Sequence, residues 1–176
     1  LKPGPIQTTG RDLDLAIEGD GFFVIRQPSG QEVLTRFGAF EVNNRNELVT
    51  AEGYAVLDRY NKPVVLTGQN VGFSDSGDVT VDGQYLTTLK MVQVENGDQL
   101  TRLGQHFFQL APNGRQSDLL NPRVVPKALE GSNVDMLEGL TGMITAQRSF
   151  DFQYQTLNTV LGELLKKAVS ELPKPM

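Results

Sequence analysis

The chain of 176 residues contains no cysteine. Disulfides, thiolate nucleophiles and sulfur-built zinc clusters are thereby excluded together. A cysteine-free composition also suits a polypeptide that leaves the cytoplasm without an oxidative folding step. Histidine is nearly missing too: His106 stands alone, beside Phe107 and Phe108. In that strand-like setting it reads as an ordinary sheet residue and not as a metal ligand or catalytic base. No run of 18 apolar residues occurs, so no membrane-spanning helix and no membrane insertion are expected. Lys and Arg total 16 against 21 Asp and Glu, for a formal net charge of -5. Those basic residues are scattered, whereas phosphate binding needs them clustered, which argues against nucleic acid as a partner. No basic-then-apolar leader opens the chain. It begins with Leu1 and not Met, which leads us to expect a fragment whose N-terminal sequence is missing.

What is present falls into two unlike parts. Residues 1–10, with Pro3, Gly4, Pro5 and Gly10, read as an extended entry segment. From residue 11 to 126 short apolar runs alternate with turn signals. Leu13, Leu15 and Ile17 follow the period of two of a half-buried strand. Gly19-Asp20-Gly21 is a turn, and Phe22-Phe23-Val24-Ile25 the next strand. Val64-Val65-Leu66, Val79-Thr80-Val81 and Thr87 through Val94 are further β-rich runs. Turns at such short spacing, without helical periodicity, predict a compact all-β domain, sandwich-like or barrel-like. Thr35-Arg36-Phe37-Gly38 echoes Thr101-Arg102-Leu103-Gly104, too short a recurrence to define a repeat architecture. Residues 127–131 read as a linker, 132–170 as one long C-terminal helix, and 171–176 as a tail. Ser132 and Asp135 stand in capping-box positions, and Pro173 stops any continuation.

The helix carries the strongest pattern. In alternating steps of four and three it presents Met136, Leu140, Met143, Gln147, Phe150, Tyr154, Leu157, Leu161, Leu164 and Ala168. Only Gln147 is polar. A sustained period of 3.5 residues is the seam of a coiled coil, in which each side chain seats between four of a facing helix. Leu137, Ile144 and Leu165 widen the stripe. A helix over 132–168 is about 55 Å long, and a 20-residue helix already crosses a small domain. Leaving eight or nine such side chains in water forfeits on the order of 15 kcal/mol. Gly139, Gly142 and Gly162 each cost roughly 1 kcal/mol in a helix interior. Such a helix requires a partner.

Two blocks of residues resemble a known family. Leu13-Asp14-Leu15-Ala16-Ile17-Glu18-Gly19-Asp20-Gly21-Phe22-Phe23-Val24 resembles the opening of the β-domain in flagellar rod and hook proteins. Thr35-Arg36-Phe37-Gly38-Ala39-Phe40, Leu48-Val49-Thr50 and Glu52 to Leu57 are similar to the segments that follow. Leu129-Glu130-Gly131-Ser132-Asn133-Val134-Asp135 and Met143 to Arg148 are similar to the family's C-terminal helical signature. Gly19, Asp20, Gly21, Phe22, Phe23, Arg36 and Gly38 are the motif positions that carry the resemblance. It implies a structural subunit of the bacterial flagellar rod or rod–hook junction that self-assembles into a helical, torque-transmitting axial tube. It further implies an N-terminal helix, absent from this sequence, that pairs with the C-terminal one. The implied partners are copies of the chain, other flagellar rod and hook proteins, and the type III export apparatus. The implied location is the basal body, reached without a cleaved signal peptide.

Catalytic chemistry has little to build on. Asp12/Asp14, Glu18/Asp20 and Asp75/Asp78 could be imagined as acid–base pairs or calcium ligands. Beside Gly and Ser they read better as turn formers whose carboxylates bond nearby backbone amides. No Gly-rich phosphate cradle precedes a helix. Arg36 and Arg102, near aromatic residues, read as surface packing or subunit contacts. We therefore expect no enzyme, cofactor, metal or catalytic residue. The competing reading is a β-sheet recognition module on a coiled-coil stalk.

Overall fold

The computed structural model describes residues 3–95, 97–132 and 136–170, with the side chains of 136–140, 163 and 167–170 left undescribed. The capping residue Asp135 and the tail 171–176 lie outside the described residues. The chain divides into two compact units, residues 1–133 and 134–176.

The first unit is β throughout. Its strands are β1 (Ile6–Thr8), β2 (Asp14–Ile17), β3 (Phe22–Arg26), β4 (Glu32–Thr35), β5 (Gly38–Val42), β6 (Leu48–Thr50), β7 (Ala55–Val56) and β8 (Val71–Phe73). They continue with β9 (Asp78–Val81), β10 (Gln84–Thr88), β11 (Met91–Val94), β12 (Leu100–Leu103), β13 (Phe107–Leu110), β14 (Gln116–Asp118), β15 (Val124–Pro126) and β16 (Ala128–Glu130). An eleven-stranded sheet runs β12-β13-β4-β3-β7-β6-β5-β2-β15, with β11 joining at β3 and carrying β14. A three-stranded sheet, β10-β9-β8, and a two-stranded ribbon, β1-β16, complete the unit. The large sheet does not close on itself, so this is not a closed barrel.

The run Phe22-Phe23-Val24-Ile25 makes β3 the centre. On one side it pairs with β4; on the other, Met91 and Val92 of β11 take its first half and β7 its second. The sheet branches there, and both faces of β3 become interior. Because side chains alternate across a strand, Phe23 and Ile25 enter the larger core with Leu15, Phe40, Leu48 and Val79. Phe22 and Val24 enter a second core with Leu34, Leu57, Val92 and Phe108. Aromatic edges lock both: Phe23 meets Phe40 at 5.3 Å between ring centroids, and Phe22 meets Phe108 at 5.7 Å.

Three segments differ from expectation. All four residues of β2 are buried, where period-two alternation predicts one wet face. Strand β16 packs against β2, and a sequence pattern does not reveal cover supplied from more than 100 residues away. For the same reason residues 127–131, expected as a linker, hold β16, which pairs with β1 through Ile6–Glu130, Gln7–Leu129 and Thr8–Ala128. Val64-Val65-Leu66 buries Val64 and Leu66 as a strand would, but reaches its neighbours only through isolated bridges. The two echoing segments lie one strand apart, since β13 pairs with β12 on one side and with β4 on the other. Thr35 donates its hydroxyl to the carbonyl of His106 (2.8 Å), and Phe37 stacks on the His106 ring at 4.2 Å.

The second unit is α1 (Met136–Ser170), 35 residues and so about 52 Å long. Thr145, Thr156 and Thr159 satisfy their hydroxyls on the carbonyls of Thr141, Phe152 and Gln155, one turn back, as threonines within a helix do.

Among the glycines of the β unit, Gly38 leaves the least room for a side chain. A Cβ there would run into the carbonyl of Leu15 on the paired strand. Gly38→Ala should therefore lower stability by about 1–3 kcal/mol, as overpacked sites do, read as a lower Tm in thermal unfolding. An unchanged Tm would show that β2 and β5 can separate freely at this point.

Candidate assembly site

The seam positions of α1 are set by helical geometry alone: side chains three and four apart share a face. Met143, Phe150, Tyr154, Leu157, Leu161 and Leu164 are all exposed, Met143 at 69% and Phe150 at 68%. Gln147 is exposed on the same stripe. The side chains of Met136, Leu140 and Ala168 lie outside the described residues. Ile144 and Leu165 widen the stripe and are exposed as well. Phe152, Gln153, Thr156, Leu157, Val160 and Leu161 shape a shallow apolar groove along the helix. Phe152 and Val160 are exposed apolar residues that the seam reading missed. At 100° per residue Phe152 points almost opposite the seam centre, so no single apolar stripe includes it.

Arg36 ties together the first part of the motif, from Gly19 to Phe22. Gly19, whose φ of 98° suits glycine, begins the Gly19-Asp20-Gly21 turn between β2 and β3. The Arg36 guanidinium holds that turn from inside, donating to the carbonyls of Gly21 (2.9 Å) and Ile17 (3.4 Å). It lies over the Phe22 ring at 5.7 Å. Its Nε meets Glu130 Oε2 at 2.7 Å, with side-chain exposures of 14% and 10%. Glu130 Oε1 accepts the amide of Gly4 (2.7 Å). Phe23 and Gly38 sit in the adjoining core as described. Arg36 is thus an internal tie, not the surface or subunit contact expected of it; its neighbours in sequence gave no sign of Glu130. Arg102 does lie at the surface, over the Phe108 ring at 5.8 Å.

The acidic pairs take structural partners. Asp12 bridges Lys127 at 2.8 Å, and Glu18 bridges Arg123 at 3.2 Å. Buried Asp14 accepts the Thr9 hydroxyl at 2.6 Å. Asp78 closes the Ser74–Asp78 turn, accepting Thr88 Oγ1 (2.6 Å) and Ser76 Oγ (2.8 Å), while its own amide donates to Ser74 Oγ. No cluster of three or more metal-ligating groups occurs among the described residues.

Comparison with known proteins places these features in a lineage. Residues 16–81 match the family described as flagellar hook protein FlgE/F/G D1 domain. Residues 125–170 match the flagellar basal body rod FlgEFG protein C-terminal family. The flagellar basal-body rod protein FlgG of Bacillus subtilis is 32% identical over 178 residues, spanning 93% of this chain and 67% of that protein. The chain belongs to the flagellar basal-body rod family. FlgG of Agrobacterium fabrum is 33% identical over 168 residues, covering 89% of the chain and 63% of the relative. The flagellar hook-basal body complex protein FlhP of Bacillus subtilis is 32% identical, covering 88% and 63%. The chain thus spans just under two thirds of the length of several relatives it matches. Arg36 falls in the first matched stretch, and Glu130 and the seam in the second, so the ion pair joins the two family regions.

Hydrogen bonds from Thr88, first, and from Ser76 and Ser74, with the charge of Arg59, hold the Asp78 carboxyl below its ordinary 3.8, against a smaller opposing effect of burial. Because the folded value lies under the unfolded one, this contribution is complete above 3.8 and disappears as pH falls through the lowered value. Asp78→Asn should therefore melt below the parent at neutral pH and converge with it in strong acid. A gap that persisted in strong acid would assign the loss to packing and not to the charge.

Proposed function

We propose that this chain is a structural, non-catalytic subunit of the flagellar rod or rod–hook junction, in which α1 is the assembly element. The observation that carries the reading is the exposed apolar row on a helix of 35 residues, in a chain of this family. Six large apolar side chains, Met143, Phe150, Tyr154, Leu157, Leu161 and Leu164, stand in water along that row. At roughly 1.5–3 kcal/mol for each side chain buried, covering them supplies the drive for association. Copies of the chain and other rod and hook proteins are the partners that fit. A head-to-tail contact repeated by a rotation that does not close builds an open helical assembly, and long helices side by side form its wall. Met136, Leu140, Gln147 and Ala168 belong to the same seam, with Gln147 as the polar position able to fix register.

The same helix suits delivery through the type III export apparatus without a cleaved signal. A helix whose stability depends on tertiary packing is marginal alone, and Gly142 and Gly162, with open space where a Cβ would be, weaken it further. The segment travels unfolded and gains its structure on incorporation, the ordering cost being met at that moment. The proposed domain plan is a β-domain over 11–126, flanked by an entry segment over 1–10 and a stretch over 127–131 whose strands β1 and β16 pair, then a core helix over 132–170 and a tail over 171–176.

Placing Asp at both Leu157 and Leu161 in the full-length protein should abolish its incorporation into basal bodies and stop swimming, while the β unit keeps its Tm. The readouts are immunoblots of purified hook–basal bodies and motility in soft agar. Normal incorporation and swimming with both aspartates present would overturn the proposal.

A further inference from the structure

We infer that Arg36 and Glu130 form a register latch, a positioning device that admits only one pairing of the β1-β16 ribbon and fastens it to the large sheet. The ribbon needs such a device. Both strands are three residues long, all of β1 is exposed, and in β16 only the small side chain of Ala128 is fully buried, so little apolar burial selects their alignment. Short strands with so little buried apolar surface are prone to slip. Polar contacts define the alignment instead. The amides of Thr9 and Gly10 both point to the carbonyl of Lys127 (2.8 and 3.2 Å), and the amide of Gly131 donates to that of Pro5 (2.8 Å).

Of these contacts, the ion pair alone reaches from the ribbon to the Gly19–Gly21 turn. Arg36 has holds besides Glu130: its two terminal nitrogens donate to the carbonyls of Gly21 and Ile17, and its guanidinium lies over Phe22. One direction, that of Nε, remains open to the ribbon, and Glu130 fills it at 2.7 Å. The second carboxylate oxygen of Glu130 then takes the Gly4 amide from the incoming segment. Three pieces of chain, around residues 4, 36 and 130, thus meet at one carboxylate. A slip of one residue in β16 would turn Glu130 to the opposite face, and a slip of two would carry it roughly 7 Å along the strand. Either deprives the largely buried guanidinium of its opposite charge, which the interior penalises heavily. The pair therefore selects an alignment that one small buried alanine specifies only weakly. As a consequence the chain enters and leaves the β unit side by side, in a fixed direction. The latch acts within the folded chain and does not depend on polymerisation.

The test is amide hydrogen exchange on the intact chain. Arg36→Met should speed exchange of the β1-β16 ladder amides by about 100-fold or more, leaving β3–β6 much closer to the parent. Adding Glu130→Leu to Arg36→Met should restore part of the protection, since the stranded carboxylate is removed. If Arg36→Met does not fold, Arg36→Lys decides: it keeps the charge but not the three-way hold, and a smaller acceleration confined to the ribbon supports the latch. Ribbon amides that exchange at the parent's rate, or an acceleration uniform across the sheet, would overturn it.

Discussion

A row of large apolar side chains on the outside of a helix is a constraint that has to be met somewhere. Met143, Phe150, Tyr154, Leu157, Leu161 and Leu164 are exposed along α1, and Phe152 and Val160 add apolar surface off the main stripe. Water is a poor environment for all of them, and the cost grows with every turn of helix. Glycine at 142 and 162 lowers helix propensity in the same segment. The β unit, with its aromatic locks and branched sheet, is built differently: its largest apolar side chains fill two interiors, and those it exposes form no such row. On the proposed reading, the chain joins a part with interiors of its own to one completed from outside.

The β unit distributes few large residues over two interiors. Strand β3 separates them, and its unbroken run of Phe22, Phe23, Val24 and Ile25 supplies both. Polar groups are placed where apolar ones would not discriminate. Asp78 closes a turn and Asp58 accepts the amides of Tyr60 and Lys62 and the hydroxyl of Thr87. Arg36 and Glu130 do the same for the ribbon. In each case a carboxylate collects donors from separated segments, and a buried charge with several partners specifies one geometry better than it adds stability.

The legibility of the fold follows from the range of the interactions. Turn residues and period-two runs are local, so the β class and strands such as β2, β3 and β9 could be read directly, whereas the run Thr87 through Val94 merged the end of β10 with β11, which lie in different sheets. The heptad of α1 is local as well, and gave the stripe with Gln147 in it. Pairing of β1 with β16 is not local, and three-residue strands carry no pattern of their own, so 127–131 looked like a linker. Arg36 shows the same limit. Beside Phe37 it resembled a surface residue, and only folding brings Glu130, 94 positions away, to its Nε. Phe152 escaped because it breaks the period that made the rest visible.

The absence of cysteine from these 176 residues makes burial of the seam measurable. A single cysteine at Leu157 on the seam, or at Thr159 two residues on and about 200° around the helix, gives a thiol that is unique among them. Maleimide labelling of the full-length protein, free and in purified basal bodies, compares its accessibility in the two states. Leu157→Cys should be labelled in free subunits and strongly protected in assembled ones. Equal labelling of Leu157→Cys in both states, in basal bodies shown to contain the subunit, would contradict burial of the seam.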